Sequence, residues 1–220
     1  MRLPGFLGRD DHNLDMLAAM LLLAQTPALT FSPQSDVWVY PHASDPSKDA
    51  YLRVWGTQGE AVAPDPAAAS DYSYSYLRFD LPAPAEGRKL SEARLEVTQV
   101  EKPSFSLELA KSSPLQARPL LGEFDEKTWT YGDSLKIFPG KEIFGEAAPE
   151  AIDPEKPTPI VIDLMKGKGD FRAVAEKGGW VNIALTSTMD VASGERTVYR
   201  LYSKDTEKEA VRPKLVLKYE

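Results

Sequence analysis

Arg212-Pro213-Lys214-Leu215-Val216-Leu217-Lys218-Tyr219, preceded across a polar loop by Tyr202-Ser203-Lys204-Asp205, is the stretch that decides the fold. Leu215, Leu217 and Tyr219 alternate with Val216, Lys218 and Glu220, the period of two that marks a strand with one buried face. Pro213 has no N–H for a ladder, so it belongs at a strand entrance or an edge. The two segments therefore read as neighbouring β-strands of one domain.

The same alternation recurs outward from there. Residues 35–40 alternate and are closed by Pro41, and residues 50–56 follow a polar loop. In residues 72–81, Leu77, Phe79 and Leu81 share one face, while Tyr72, Tyr74, Tyr76, Arg78 and Asp80 share the other. Ala93, Leu95 and Val97 alternate with Arg94, Glu96 and Thr98, and Phe105, Leu107 and Leu109 read the same way. Residues 159–165, 180–186 and 195–204 supply further strands, with Trp180 expected in the core. One segment departs from this period: Phe171, Val174 and Ala175 stand at helical spacing, with Asp170 placed to cap and Gly178-Gly179 placed to terminate. About ten strands, one short helix and frequent turn residues predict an all-β fold, a single β-sandwich of jelly-roll type.

Composition narrows the function classes. Eighteen prolines in 220 residues favour short strands and loops over long helices. The absence of cysteine excludes disulfides and thiolate metal sites. Residues 16–24 form a short apolar run, below the length of about 20 needed to cross a bilayer but suited to a signal peptide. Residues 1–32 are thus expected to be a leader and 33–220 the domain, secreted or held in the cell envelope without stable membrane insertion. The chain carries 26 basic and 33 acidic residues, a net charge of −7. Lacking a basic run, it is a poor partner for nucleic acid.

His12 and His42 are the only histidines, so a Ser-His-Asp triad would rest on one loop residue, and catalysis is not expected. The acidic residues show no spacing that selects a glycosidase pair. The aromatic and basic positions are more suggestive. Tyr72, Tyr74, Tyr76 and Arg78 would project from one strand face, and Arg200, Tyr202 and Lys204 alternate on another. Aromatic rings stack on sugars and arginine forks onto carboxylates, so two such strands facing one groove would bind an acidic polysaccharide. The other reading, favoured by tyrosine being a good strand residue, is that the tyrosines are a second buried face or a sheet-edge cover. Trp129 reads equally as a ligand platform or as core. A structural calcium ion is a further candidate, since loop oxygens often lock such sandwiches. Asp45 and Asp49 alone are too sparse to define its site.

The order of these elements resembles the DNRLRE domains of secreted bacterial and archaeal proteins, a group overlapping alginate-binding carbohydrate-binding modules and disaggregatase-related domains. Asp36-Val37-Trp38-Val39 resembles the family's opening Asp-x-Tyr-Val strand. Ser75-Tyr76-Leu77-Arg78-Phe79-Asp80-Leu81 and Ala93-Arg94-Leu95 are similar to its Tyr-Leu-Arg-Phe-Asp and Ala-x-Leu pair. Ile162-Asp163-Leu164, the short helix and residues 180–185 look like its Asp-Val-Thr, helix and strand succession. Ser203-Lys204-Asp205 stands where the family has Ser-Arg-Glu, and Arg212-Pro213-Lys214-Leu215-Val216 is similar to its closing strand. The likeness spans residues 35–220. It departs at Phe124-Asp125-Glu126 and Trp129, where the family spaces two tryptophans more widely, and at insertions over 57–71 and 139–158. The resemblance implies a secreted, non-catalytic carbohydrate-binding module for a uronate-containing polysaccharide. A structural or adhesive cell-envelope module, partnered with other envelope components, is the alternative, followed by a polysaccharide-cleaving enzyme.

Overall fold

The computed structural model describes residues 27–41, 46–65, 72–190 and 197–220; His12, His42 and Asp45 lie outside them. The described residues form eleven strands: β1 Leu29–Phe31, β2 Ser35–Val39, β3 Tyr51–Val54, β4 Tyr74–Leu81, β5 Leu90–Gln99, β6 Leu115–Pro119, β7 Gly145–Ala147, β8 Thr158–Asp163, β9 Gly179–Thr186, β10 Tyr199–Tyr202 and β11 Lys214–Tyr219. They make two antiparallel sheets. The first runs β1-β11-β5-β10-β3, with β8 also on β5, and the second runs β2-β4-β9-β6-β7. Leu52, Val54, Leu95, Leu201, Leu215 and Leu217 of the first sheet share one buried core with Leu77, Phe79, Leu81, Val181, Ile183 and Leu185 of the second. This is a β-sandwich, closed by the period-two faces read from the sequence.

The C-terminal segment is a strand, as its alternation requires, but it does not neighbour the strand ending at Tyr202: β5 lies between β11 and β10 and pairs with both. Leu215 pairs with Leu95 and Leu217 with Ala93 on β5, while Leu217 also lies opposite Leu29 on β1. Pro213 stands just before the strand, where its missing donor breaks no ladder. β1, which falls within residues 1–32, is a strand of this sheet. Among the described residues, no helix is long and apolar enough to cross a membrane.

Three short helices appear where one was expected: α1 Leu107–Ser112, α2 Tyr131–Ser134 and α3 Phe171–Lys177. The α3 signals hold. Asp170 accepts from the Ala173 N–H at 3.0 Å, and Gly178 takes a positive φ of 68° that suits a residue without Cβ. The Phe105-Leu107-Leu109 alternation, in contrast, is not a strand. Ser106 caps α1 by accepting from the Leu109 N–H, so capping overrides a pattern only three residues deep. Phe105 instead packs on Tyr199, ring centroids 4.8 Å apart.

A second buried cluster lies on the outer side of the second sheet. Val37, Val39, Tyr72, Tyr74, Tyr76 and Ala184 are covered by Leu120, Phe124 and Trp129. The connection after β6 folds back over the sheet to do this. It is held by the capping box of α2, in which Thr130 and Asp133 satisfy each other's backbone N–H groups.

Candidate functional site

That cover decides the fate of the tyrosine ladder. Tyr72, Tyr74 and Tyr76 are each 0% exposed. A ring with no accessible face cannot stack on a sugar, so of the two readings these three take the buried face and not the platform. They are packed as core: Tyr76 meets Trp129 edge-on at 5.4 Å and Phe124 at 5.8 Å. The Tyr74 hydroxyl accepts from the Ala63 N–H at 2.8 Å. Burial raises the phenols of both Tyr74 and Tyr76 above their usual range. Trp129, 7% exposed, resolves in favour of core. Its outer edge borders a cleft of about 410 Å³ beside Tyr40, Glu126 and Tyr131.

Arg78 and Arg200 do not face one groove either, because β4 and β10 belong to opposite sheets. Arg78 lays its guanidinium over Trp180, 4.1 Å from the ring centroid, donates to the Phe124 carbonyl and lies 3.9 Å from Glu123. Trp180, expected in the core, is 50% exposed. The reason is parity: Val181, Ile183 and Leu185 take the inward face of β9, so Trp180 points out, opposite Asp80.

The partner that β10 does have is β3. Arg200 lies directly opposite Arg53, and Tyr202 opposite Tyr51. Opposed residues share a face, and since Leu52, Val54, Tyr199 and Leu201 point inward, this quartet lies on the outer side. The Arg200 guanidinium stacks 4.0 Å from the Tyr51 ring centroid, and Arg53 caps Trp38 at 4.9 Å. Tyr202 is buried beneath Tyr51, 5.6 Å away, and donates its hydroxyl to Glu101 at 2.6 Å. That bond, with Lys208 3.3 Å beyond, holds the Glu101 carboxyl below its ordinary value. Among the described residues, arginine–carboxylate pairs form at Arg78 and Arg212, and neither Arg53 nor Arg200 has one. The Arg53 Nε is also buried without a hydrogen-bond partner.

Lys204 lies past the end of β10 and has a different task. Its ammonium bonds Glu126 at 2.9 Å and Asp205 at 2.8 Å, and its backbone N–H donates to Asp36 at 2.6 Å. Asp36, Glu126 and Asp205 bring one carboxylate oxygen each within 4.8 Å of one another. A calcium ion there would have to displace an ammonium that already bonds two of the three acids. Two stretches far apart in sequence, at Asp36 and at Ser203-Lys204-Asp205, meet in this cluster. They tie β2 of one sheet to the turn after β10 of the other.

Desolvation dominates at Asp36, which is 2% exposed, and raises its pKa from 3.8 to about 7. The folded state thus holds this proton more tightly than the unfolded state. The stabilisation is full below the unfolded pKa and is lost as pH rises through about 7. Glu126, raised first by desolvation, acts in the same direction. Asp36→Asn keeps an oxygen for the Lys204 N–H and removes the proton. Its urea midpoint, relative to the native chain, rises between about pH 5 and about pH 8. A constant difference across that range contradicts the assignment.

The geometry thus defines an antiparallel β-sandwich with an arginine–tyrosine face on the outer side of its first sheet. No protein-family model and no curated protein matches the chain.

Proposed function

We propose that this protein is a non-catalytic carbohydrate-binding β-sandwich, secreted or held at the cell envelope, that holds an acidic polysaccharide by its carboxylates on the β3–β10 face. The observation that carries this reading is the opposed pair Arg53 and Arg200 without carboxylate partners. Like charges directly across a strand pair are unfavourable, and here each is held in place only by stacking on a ring. A carboxylate bridging the two guanidiniums relieves the repulsion and supplies the fork geometry arginine recognises. Lys208, over Tyr202 at 5.7 Å and paired with Glu101, adds a further cation beside the same face. The chain is otherwise acidic, with a net charge of −7, so the local basic face is not a by-product of composition.

A hydrolytic reading has less support. Asp36, the acid with the strongly raised pKa, is enclosed and does not line the neighbouring cleft, whereas Glu126 does. Titration calorimetry with a uronate oligosaccharide tests the proposal against the same oligosaccharide with its carboxylates reduced to alcohols. Binding of the first and at least about ten-fold weaker binding of the second is expected for charge-assisted recognition. Equal binding of both, or release of new reducing ends during the incubation, overturns it. If neither binds, the structural envelope module takes its place.

A further inference from the structure

The second sheet carries an independent cation that the polysaccharide reading does not use. Arg118 projects from the outer face of β6, whose Leu115 and Ala117 point into the core. Its Nε donates to the Thr186 hydroxyl at 3.0 Å, Nη1 to the carbonyls of Gly140 and Lys141, and Nη2 to the Gln116 side-chain oxygen at 2.6 Å. Every one of these acceptors is neutral. A guanidinium has five N–H donors, so one Nη2–H is left without an acceptor. No carboxylate lies within ion-pair distance of Arg118 among the described residues; Glu146, the acid that acts on it, is held by the Gln116 amide at 3.0 Å. Burial pulls the Arg118 pKa down, the direction desolvation gives a cation.

Arg118 opens onto a cleft of about 490 Å³, within the size range of small-molecule sites. One wall is apolar: Ala61, Val62, Pro64, Phe138 and Pro139. At the rim stand Lys141, which has no ion-pair partner among the described residues, and the exposed Glu60. A rigidly held, uncompensated cation at one end and an apolar wall at the other match a ligand with the same two parts. We propose that this cleft binds a small organic carboxylate with an apolar body, its carboxylate on Arg118 and Lys141. Glu60 disfavours a ligand of higher negative charge, which selects a monocarboxylate over phosphate.

Benzoate is a suitable probe, followed by amide chemical shifts of the full chain. The expected result is saturable shifts confined to residues 60–64, 116–118 and 138–141. Benzamide, the neutral isostere, binds at least about ten-fold more weakly, and inorganic phosphate does not displace benzoate. Arg118→Gln removes binding, but it also releases the carbonyls of Gly140 and Lys141, so this variant alone does not separate lost binding from lost fold. Two others keep the test sharp. Lys141→Ala, at an exposed position, weakens benzoate several-fold with an unchanged melting temperature, and Val62→Trp fills the cleft and blocks it. Equal binding of benzoate and benzamide, displacement by phosphate, or indifference to both Lys141→Ala and Val62→Trp overturns the proposal. The site lies on the other sheet from Arg53 and Arg200, so its failure leaves the polysaccharide reading untouched, and the converse holds.

Discussion

Replacing Tyr76 by alanine lowers folding stability by about 4 kcal/mol, the usual loss when a large aromatic leaves a packed core. For a chain of this length that shifts the melting temperature by on the order of 10 °C. The cause is the cluster on the outer side of the second sheet, where Tyr76 fills the space between Phe124 and Trp129. The hydroxyl contributes little, because among the described residues it meets no hydrogen-bond partner. Tyr76→Phe therefore changes stability by less than about 1 kcal/mol, in either direction. Urea denaturation of both variants checks the pair of values. A Tyr76→Ala protein that melts like the native one and loses only polysaccharide affinity would show that the tyrosines are a ligand surface.

Charge reversal at Arg200 has the largest expected effect on binding. Arg200→Glu removes one arm of the guanidinium pair and places a carboxylate against the ligand's own, so affinity for a uronate polymer falls about 100-fold. Arg200→Ala, which removes attraction without adding repulsion, costs about ten-fold. Neither substitution disturbs the fold, since Arg200 is exposed and contacts its surroundings through one ring; stability changes stay within about 1 kcal/mol. Arg78→Ala is the informative comparison. It removes an arginine stacked on an aromatic ring of the opposite sheet, and binding to the β3–β10 face is unaltered. Equal losses from Arg78→Ala and Arg200→Ala contradict the location of the site.

What the sequence made legible follows from how far each signal reaches. Alternation over β4, β5 and β11 identifies strands and their two faces because the period of two needs only neighbours along the chain. The α3 helix is readable for the same reason, with Asp170 and Gly178 marking its ends. The site is less legible because it depends on pairing. Arg200 and Tyr202 are singled out by their own strand, but the residues that complete the face, Tyr51 and Arg53, lie on β3, far away in sequence. Their alternation with Leu52 and Val54 was visible; their position opposite Arg200 was not. The tyrosine ladder is legible as one face, but not as buried or exposed. Its face was read correctly, yet nothing in residues 72–81 reveals that the segment around Phe124 and Trp129 returns to cover it. Residue type alone puts Trp180 in the core, whereas the parity of Val181, Ile183 and Leu185 turns it outward.

Lys204 adds a third lesson. It shares the spacing of Arg200 and Tyr202, but it falls beyond the strand end, where side chains no longer keep the sheet's two faces. There it neutralises Glu126 and Asp205 and lends its backbone N–H to Asp36. A basic residue that strand spacing assigns to a ligand thus becomes an internal tie between the two sheets.

The most direct test of the central claim is electrophoresis of the full chain through native gels containing alginate, an uncharged glucan or no polymer. The account predicts retardation in alginate alone, relieved by added salt and abolished by Arg200→Glu. Unchanged mobility in alginate, or retardation that Arg200→Glu leaves intact, contradicts it.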